Sequence, residues 1–228
     1  YGLTETSPVV TVNDMRDGGF RIGSVGKALP DTEVKIAEDG EILIKGPQVM
    51  QGYYKDSEQT AEVLKNGYFH TGDIGEIDSD GFLKITDRKK SMFKTSGGKY
   101  VAPQLIENAM KQSSFIEQIL VVGDGEKMPA ALIQPNWDWI QQWSAIKGHD
   151  ISKDTAVASQ DQKLIDRIQE EINFHNEGFG SWEKVKTFQL TPDLWSIEAG
   201  HLTPTMKSKR KVIKQMYKDL YEKLYGRS

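Results

Sequence analysis

TEVKIAEDGEILIKG, Thr32 to Gly46, decides the first half of the fold. Apolar and polar residues alternate on both sides of Asp39-Gly40, which is the period of a strand, and an Asp-Gly pair between two such runs is a hairpin signal. The same syntax recurs in GDIGEIDSDGFLKITDR, Gly72 to Arg88. The stretch from Thr32 to Arg88 is therefore expected to be β-rich. One short helix interrupts it, because DSEQTAEVLKNG, Asp56 to Gly67, offers an Asp or Ser cap, a run of helix formers and Asn-Gly as a stop.

The texture changes after DRKKS, Asp87 to Ser91. A helix is expected to begin at Pro103, which suits a first helical position, and to run through QLIENAMKQ. Strands follow at IEQILVVG and PAALIQP, then a helix near NWDWIQQWSAI and a long amphipathic one through QKLIDRIQEEINFHNE. A strand at KVKTFQL and a last helix from about Lys209 to Tyr225 complete the pattern. The expected fold class is α+β: a β-rich subdomain over residues 1–87, then a small mixed α/β domain over 88–228, with the boundary at Asp87 to Lys90.

The chain has 228 residues, 37% hydrophobic and 27% charged, enough for two modest domains. It contains no cysteine, so disulfides, thiolate metal sites and a cysteine nucleophile are excluded. A formal net charge of −4 argues against a protein built to coat nucleic acid or anionic lipid. No apolar run is long enough to cross a bilayer as a helix, and no address signal is visible. The expected location is the cytoplasm, with peripheral membrane contact left open for a longer protein.

Four constellations carry more chemistry. YGLTE, Tyr1 to Glu5, gathers a ring that can stack on a base, a glycine allowing close approach, a hydroxyl for a phosphate oxygen and a carboxylate for a hard divalent cation. Such a pentapeptide is more often a turn before a helix. In YFHTGDIGEID, Asp73 follows Gly72 at a strand end, where its carboxylate can accept from the paired hydroxyls of a ribose. An Asp beside Gly more commonly bonds its own backbone.

DRKKSMFKTSGGKYVAP, Asp87 to Pro103, sets basic residues around Gly97 and Gly98. A solvated linker is one reading. Met92 and Phe93 in its middle favour another, a basic loop whose paired glycines let backbone N–H groups approach an anion. GHLTPTMKSKRKVIK, Gly200 to Lys214, places Lys207 after a Thr-Pro-Thr turn. A nucleic-acid patch is the alternative. On a helix Lys209, Lys211 and Lys214 spread over more than one face while Val212, Ile213 and Met216 face a core, so no continuous basic surface results. A lone loop lysine suits a phosphate better.

In this order and at these separations, YGLTETSP, GYFHTGDIGEID, DRKKSMFKTSGG and LTPTMKSKRK resemble the later core motifs of the adenylate-forming superfamily. These are the acyl-CoA synthetases, luciferases and adenylation domains, and the LTPTMK form is most similar to that of long-chain fatty-acid–CoA ligases. The resemblance covers nearly the whole chain. It implies the last third or so of a longer enzyme, cut inside its large N-terminal domain, with residues 1–87 as the β-rich end of that domain and 88–228 as a small mobile C-terminal domain. The TSGTTGxPKG type of phosphate loop and most of the acyl pocket do not occur in these residues, so the segment alone is expected to be inactive. Two departures stand out: His201 where long-chain members commonly carry Glu, and a junction loop lengthened by Lys99-Tyr100.

By the same resemblance Tyr1 and Gly2 line the adenine, Thr4 contacts the α-phosphate, and Glu5 binds Mg²⁺. Asp73 holds the ribose hydroxyls, with Arg88 reaching the same sugar, and Lys90 falls at the hinge. Lys207 is the adenylation lysine, while Lys94 and Gly97 line the path of the CoA thiol. The implied substrates are a medium- to long-chain fatty acid, ATP and CoA, with AMP as the nucleotide product. The alternatives are an aryl- or amino-acid-adenylating relative, or a non-catalytic nucleotide- or RNA-binding module.

Overall fold

The computed structural model describes residues 1–16, 18–89 and 91–227. The chain is α+β and divides into two compact units, Tyr1–Ser91 and Met92–Ser228. Lys90, the residue assigned to the hinge by resemblance, lies outside the described residues.

The first unit is organised by an antiparallel sheet in which Glu33–Ile36, Glu41–Lys45, Tyr68–Ile77 and Leu64–Lys65 follow one another, with Leu83–Arg88 also paired to Tyr68–Ile77. The Asp39-Gly40 hairpin forms as its sequence requires: Val34 pairs with Ile44 and Ile36 with Ile42, and Gly40 takes φ 83°. Ile42, Ile44, Phe69, Leu83 and Val10 make the core of this unit. The short helix is Ser57–Val63, capped by Asp56, whose carboxylate accepts the Gln59 N–H. Its expected stop has another job. Asn66 at φ 53° and Gly67 at φ 79° form the two-residue turn that pairs Leu64–Lys65 with Tyr68–Ile77, so the helix ends earlier and Asn-Gly turns a hairpin.

In the second unit, Ile116–Val122 and Ala130–Pro135 are antiparallel, and Thr187–Leu190 runs parallel to the latter. The near-continuous apolar runs of the first two strands follow from burial on both faces. Ile119, Val121, Ala131 and Ile133 join one core with the helices Pro103–Met110, Trp137–Lys147 and Gln162–Asn176. Leu120, Val122, Ala130 and Leu132 join another, with Trp195, Leu202, Ile213, Tyr217, Tyr221 and Leu224.

The expectations for the last helix change here. The last helix is two helices, Arg210–Met216 and Lys218–Leu224, separated by Tyr217 at φ −105° and ψ 39°. Of the three apolar residues expected to face a core, only Ile213 is buried, while Val212 and Met216 are exposed. The basic junction is not a linker throughout. Phe93–Lys94 and Tyr100–Val101 pair as a short hairpin whose Phe93 and Val101 enter the larger core. No described helix is long and apolar enough to cross a membrane.

Candidate functional site

The opening residues are held by backbone bonds to residues later in the chain. The Tyr1 carbonyl accepts the Val10 and Thr11 N–H groups, and the Glu5 carbonyl accepts the Met50 N–H at 2.8 Å. Gly2 is required by close approach: a Cβ there would lie 1.6 Å from the Pro8 carbonyl oxygen. Thr4 and Glu5 then sit on a single 3₁₀ turn, Thr4–Thr6.

This arrangement brings Tyr1 to Asp73. The Tyr1 hydroxyl donates to Asp73 Oδ2 at 2.7 Å, and Arg88 Nε donates to Asp73 Oδ1 at 2.8 Å. Asp73 and Arg88 are also cross-strand partners in the sheet. The Asp73 side chain is 7% exposed and that of Arg88 is 61% exposed, so a buried acid is presented beside a solvent-facing base. Burial, then the bond to Asp73, pushes the Tyr1 phenol well above its ordinary range. It remains a neutral donor at any physiological pH.

A cavity of about 800 Å³ lies next to this pair, lined by Gly2, Thr4, Glu5, Tyr53, His70 and Arg88 among others. The Tyr53 hydroxyl donates to Glu5 Oε1 at 2.9 Å and fixes that carboxylate on the cavity wall. Burial and the Glu5 contact raise the Tyr53 phenol too. Thr4 and Glu5 supply hard oxygen donors. No group of three His, Cys, Asp or Glu side chains able to hold a metal exists among the described residues. That donor set fits an Mg²⁺ held by one carboxylate and otherwise by phosphate and water oxygens.

The sequence reading missed a second acid on the same wall. The Glu41 side chain is 6% exposed and accepts from the Gly72 N–H at 2.9 Å and from Lys89 Nζ at 3.0 Å, with His70 Nδ1 also 3.0 Å away. Burial pushes the Glu41 carboxyl up, but the His70, Lys89 and Gly72 contacts outweigh it and hold the group below its ordinary range. Asp39 binds Lys89 from the other side at 2.6 Å. Both acids flank the hairpin glycine, where the sequence signalled only a turn. Tyr53, likewise unassigned, stands beside Gly52 in an otherwise unremarked GYYK.

The remaining assigned residues lie in the second unit. Lys94 is on the short hairpin with its ammonium 5.5 Å from the Tyr100 ring centre, and Gly97 is in that hairpin's exposed turn. Lys207 is exposed on a separate turn, closed by its own carbonyl accepting the Thr203 N–H at 2.8 Å. The first unit thus assembles Tyr1, Gly2, Thr4, Glu5, Asp73 and Arg88, while the second presents its lysines on two different loops.

The chain is similar to known proteins along its whole length. The model of the AMP-binding enzyme matches residues 1–54, and that of the AMP-binding enzyme C-terminal domain matches residues 91–228. Long-chain-fatty-acid–CoA ligase FadD15 of Mycobacterium bovis is 36% identical over 227 residues, which are 100% of this chain and 38% of that protein. Long-chain-fatty-acid–CoA ligase 1 of Homo sapiens is 34% identical over 240 residues, covering 99% of this chain and 34% of that protein. The chain therefore spans well under half the length of these curated relatives.

Among solved structures, O-succinylbenzoate coenzyme A synthetase from Bacillus subtilis in complex with AMP matches 94% of this chain and 40% of its own, at 24% identity and a TM-score of 0.67. The adenylation domain of a carboxylate reductase from Mycobacterium chelonae matches 90% of this chain and 34% of its own, at 23% identity and a TM-score of 0.70. The ordered motifs, the sheet that carries them and a family match to more than half of the chain agree: the chain belongs to the AMP-binding enzyme family.

Proposed function

We propose that the chain is the C-terminal segment of an ATP-dependent fatty-acid–CoA ligase, which joins a carboxylate to AMP and then passes the acyl group to the thiol of CoA. The observation that carries this reading is the Tyr1–Asp73–Arg88 arrangement at the edge of the cavity lined by Thr4 and Glu5. Each Asp73 oxygen accepts one bond and retains a lone pair, so the carboxylate can accept both hydroxyls of a ribose. Arg88 approaches the same sugar, and the Tyr1 ring with Gly2 borders the base. Thr4 reaches the α-phosphate. Glu5 would hold Mg²⁺, whose chemistry is to neutralise charge on the phosphate oxygens.

Two half-reactions then divide the lysines. Lys207 stabilises the negative charge that grows as the carboxylate attacks phosphorus. Lys94 and Gly97 border the path of the thiol in the second step. The unit Tyr1–Ser91, whose last strand carries Arg88, would belong to the large AMP-binding domain and Met92–Ser228 to a small domain that reorients between steps, a motion able to limit turnover. The relatives' names, which print long-chain fatty acid, favour a fatty acid over aryl or amino acids. The cytoplasm, with peripheral membrane contact, is the proposed location.

The test uses the full-length enzyme with ATP, Mg²⁺, CoA and a panel of acids. Palmitate should give thioester with a kcat/KM at least about tenfold above benzoate or any amino acid, a ratio within the reach of pocket discrimination. A preference for an aryl or amino acid would transfer the protein to that branch of the family. Salt-sensitive RNA binding without affinity for AMP would instead favour the nucleic-acid alternative. The 228-residue segment alone should form no thioester, since its sequence holds no TSGTTGxPKG-type loop.

A further inference from the structure

His201 occupies an unusual setting for a histidine on a loop. It is 2% exposed, and its ring packs in a three-membered cluster with those of Trp195 and Tyr217, with centroids 6.2 and 5.9 Å away and interplanar angles of 10° and 14°, while Trp195 and Tyr217 are 6.3 Å from each other. Nδ1 accepts the Ser196 N–H at 3.4 Å, and Nε2 lies 3.1 Å from the Tyr217 hydroxyl oxygen. The Tyr217 hydroxyl donates to Asp193 Oδ2 at 3.0 Å. These contacts admit one proton arrangement. A backbone N–H can only donate, so Nδ1 is bare; Nε2–H donates to Tyr217, and Tyr217 passes its own proton towards Asp193.

The backbone of the same residue forms the foot of the Lys207 turn. The His201 N–H donates to the Ser196 carbonyl at 3.0 Å, and the His201 carbonyl accepts the Lys209 N–H at 2.8 Å. Leu202 and Ser208 pair just above it as an antiparallel bridge. Thr203 and Lys207 close the tip, since the Thr203 N–H donates to the Lys207 carbonyl and Thr203 Oγ1 accepts the Lys207 N–H at 3.1 Å. Met206, at φ 60°, bends the chain immediately before the lysine. Tyr217 interrupts the two terminal helices at the point where its hydroxyl meets this chain of bonds.

We propose that His201 is a positioning residue for Lys207: its neutral imidazole locks the base of the lysine-bearing turn to Tyr217 and Asp193, so that the ammonium is held ready for adenylation. The proposal rests on the adenylation role given to Lys207 above. The titratable groups facing the imidazole are Tyr217 and Asp193. Burial lowers the tendency of His201 to take a proton, and Asp193 opposes this only in part. A proton on Nδ1 would point at the Ser196 N–H and break the first link, loosening the turn.

The test uses the full-length enzyme with His201→Phe, which keeps a stacking ring and loses both nitrogen contacts, and His201→Gln, which restores a donor towards Tyr217. Adenylation is followed by ATP–pyrophosphate exchange, and thiol transfer by supplying ready-made acyl-adenylate. We expect His201→Phe to lower adenylation kcat by ten- to a hundredfold, with the KM for ATP and thiol transfer each within twofold. His201→Gln should recover part of the loss and flatten the acid limb of the adenylation pH profile. Independently of activity, trypsin should cut after Lys207 at least fivefold faster in His201→Phe, with cleavage after Lys153 unchanged.

Lys207→Ala is measured alongside. Slow Lys207→Ala beside a His201→Phe enzyme with normal adenylation overturns the positioning role alone. A Lys207→Ala enzyme that adenylates normally overturns the underlying reading and the proposal with it. Unchanged tryptic cleavage after Lys207, or equal loss in both half-reactions, also overturns the proposal. If His201→Phe does not fold, His201→Gln with its pH profile decides: an acid limb identical to that of the native enzyme rejects it.

Discussion

Lys89 Nζ reaches Glu41 Oε2 at 3.0 Å, across 48 residues, while the same carboxylate receives the Gly72 N–H immediately before Asp73. One buried acid therefore ties the residue just after the last strand of the first unit to the strand that presents the proposed ribose acid. We predict that Glu41→Ala destabilises this unit by about 2 kcal/mol, the scale of charge-assisted hydrogen bonds. The larger penalty of a fully buried pair does not apply, because Lys89 is half exposed and keeps Asp39. Urea unfolding of the native and substituted chains checks this, and an unchanged midpoint would refute it.

The pH dependence of that contribution has a definite sign. Glu41 is held below its ordinary value of 4.5, so its stabilisation is complete above that pH and is lost as the pH falls through the lowered folded value. The difference in unfolding midpoint between native protein and Glu41→Gln should therefore shrink steadily below about pH 4.5. A difference that grows on acidification would mean that the carboxylate is not the favoured state.

Two glycines should fail for different reasons. Gly2→Ala places a methyl 1.6 Å from the Pro8 carbonyl, so the backbone must move, at a cost of about 1–3 kcal/mol. Gly67→Ala meets open space and suffers only from its φ of 79°, about 1 kcal/mol. Thermal unfolding should rank them in that order. Nucleotide affinity of the full-length enzyme should fall for Gly2→Ala alone.

Lys207 and Lys94 should separate in half-reaction assays of the full-length enzyme. Lys207→Ala should slow adenylation by about two to three orders of magnitude, as removal of one preorganised stabilising donor does, and spare thiol transfer from supplied acyl-adenylate. Lys94→Ala should do the reverse. Changes below about twofold in both would mark the lysines as ordinary surface charge.

Tyr53→Phe removes the hydroxyl that orients Glu5 while leaving the ring. We predict a rise of about tenfold in the Mg²⁺ concentration needed for half-maximal adenylation, at the low end for lost outer contacts of a metal ligand. Unaltered Mg²⁺ dependence would remove Glu5 from the ion.

Much of the fold was legible because it is local. The Asp39-Gly40 hairpin, the Asp56 cap and the helix begun at Pro103 each follow from neighbouring residues. Asn66-Gly67 was misread, since the same dipeptide can stop a helix or turn a hairpin and only the partner strand decides. Tyr217 was invisible as a break, because it leaves helical geometry where its hydroxyl meets Asp193 and His201, residues distant in sequence. Motif order marked Asp73 and Arg88, but not Glu41 or Tyr53, whose importance comes from contacts made across more than thirty residues or nearly fifty.

The pairing of Asp73 with Arg88 in adjacent strands makes the sheet itself their ruler. The hairpin tip, residues 78–81, lies beyond the paired positions and is held by Arg21 bonding Asp78 and Asp80, so it does not set the separation of acid and base. A one-residue slip of either strand would instead send one of the two side chains to the opposite face. Natural variation in the family should therefore spare this alignment, so that the charge pair is inherited as a unit of strand register rather than as two independent letters.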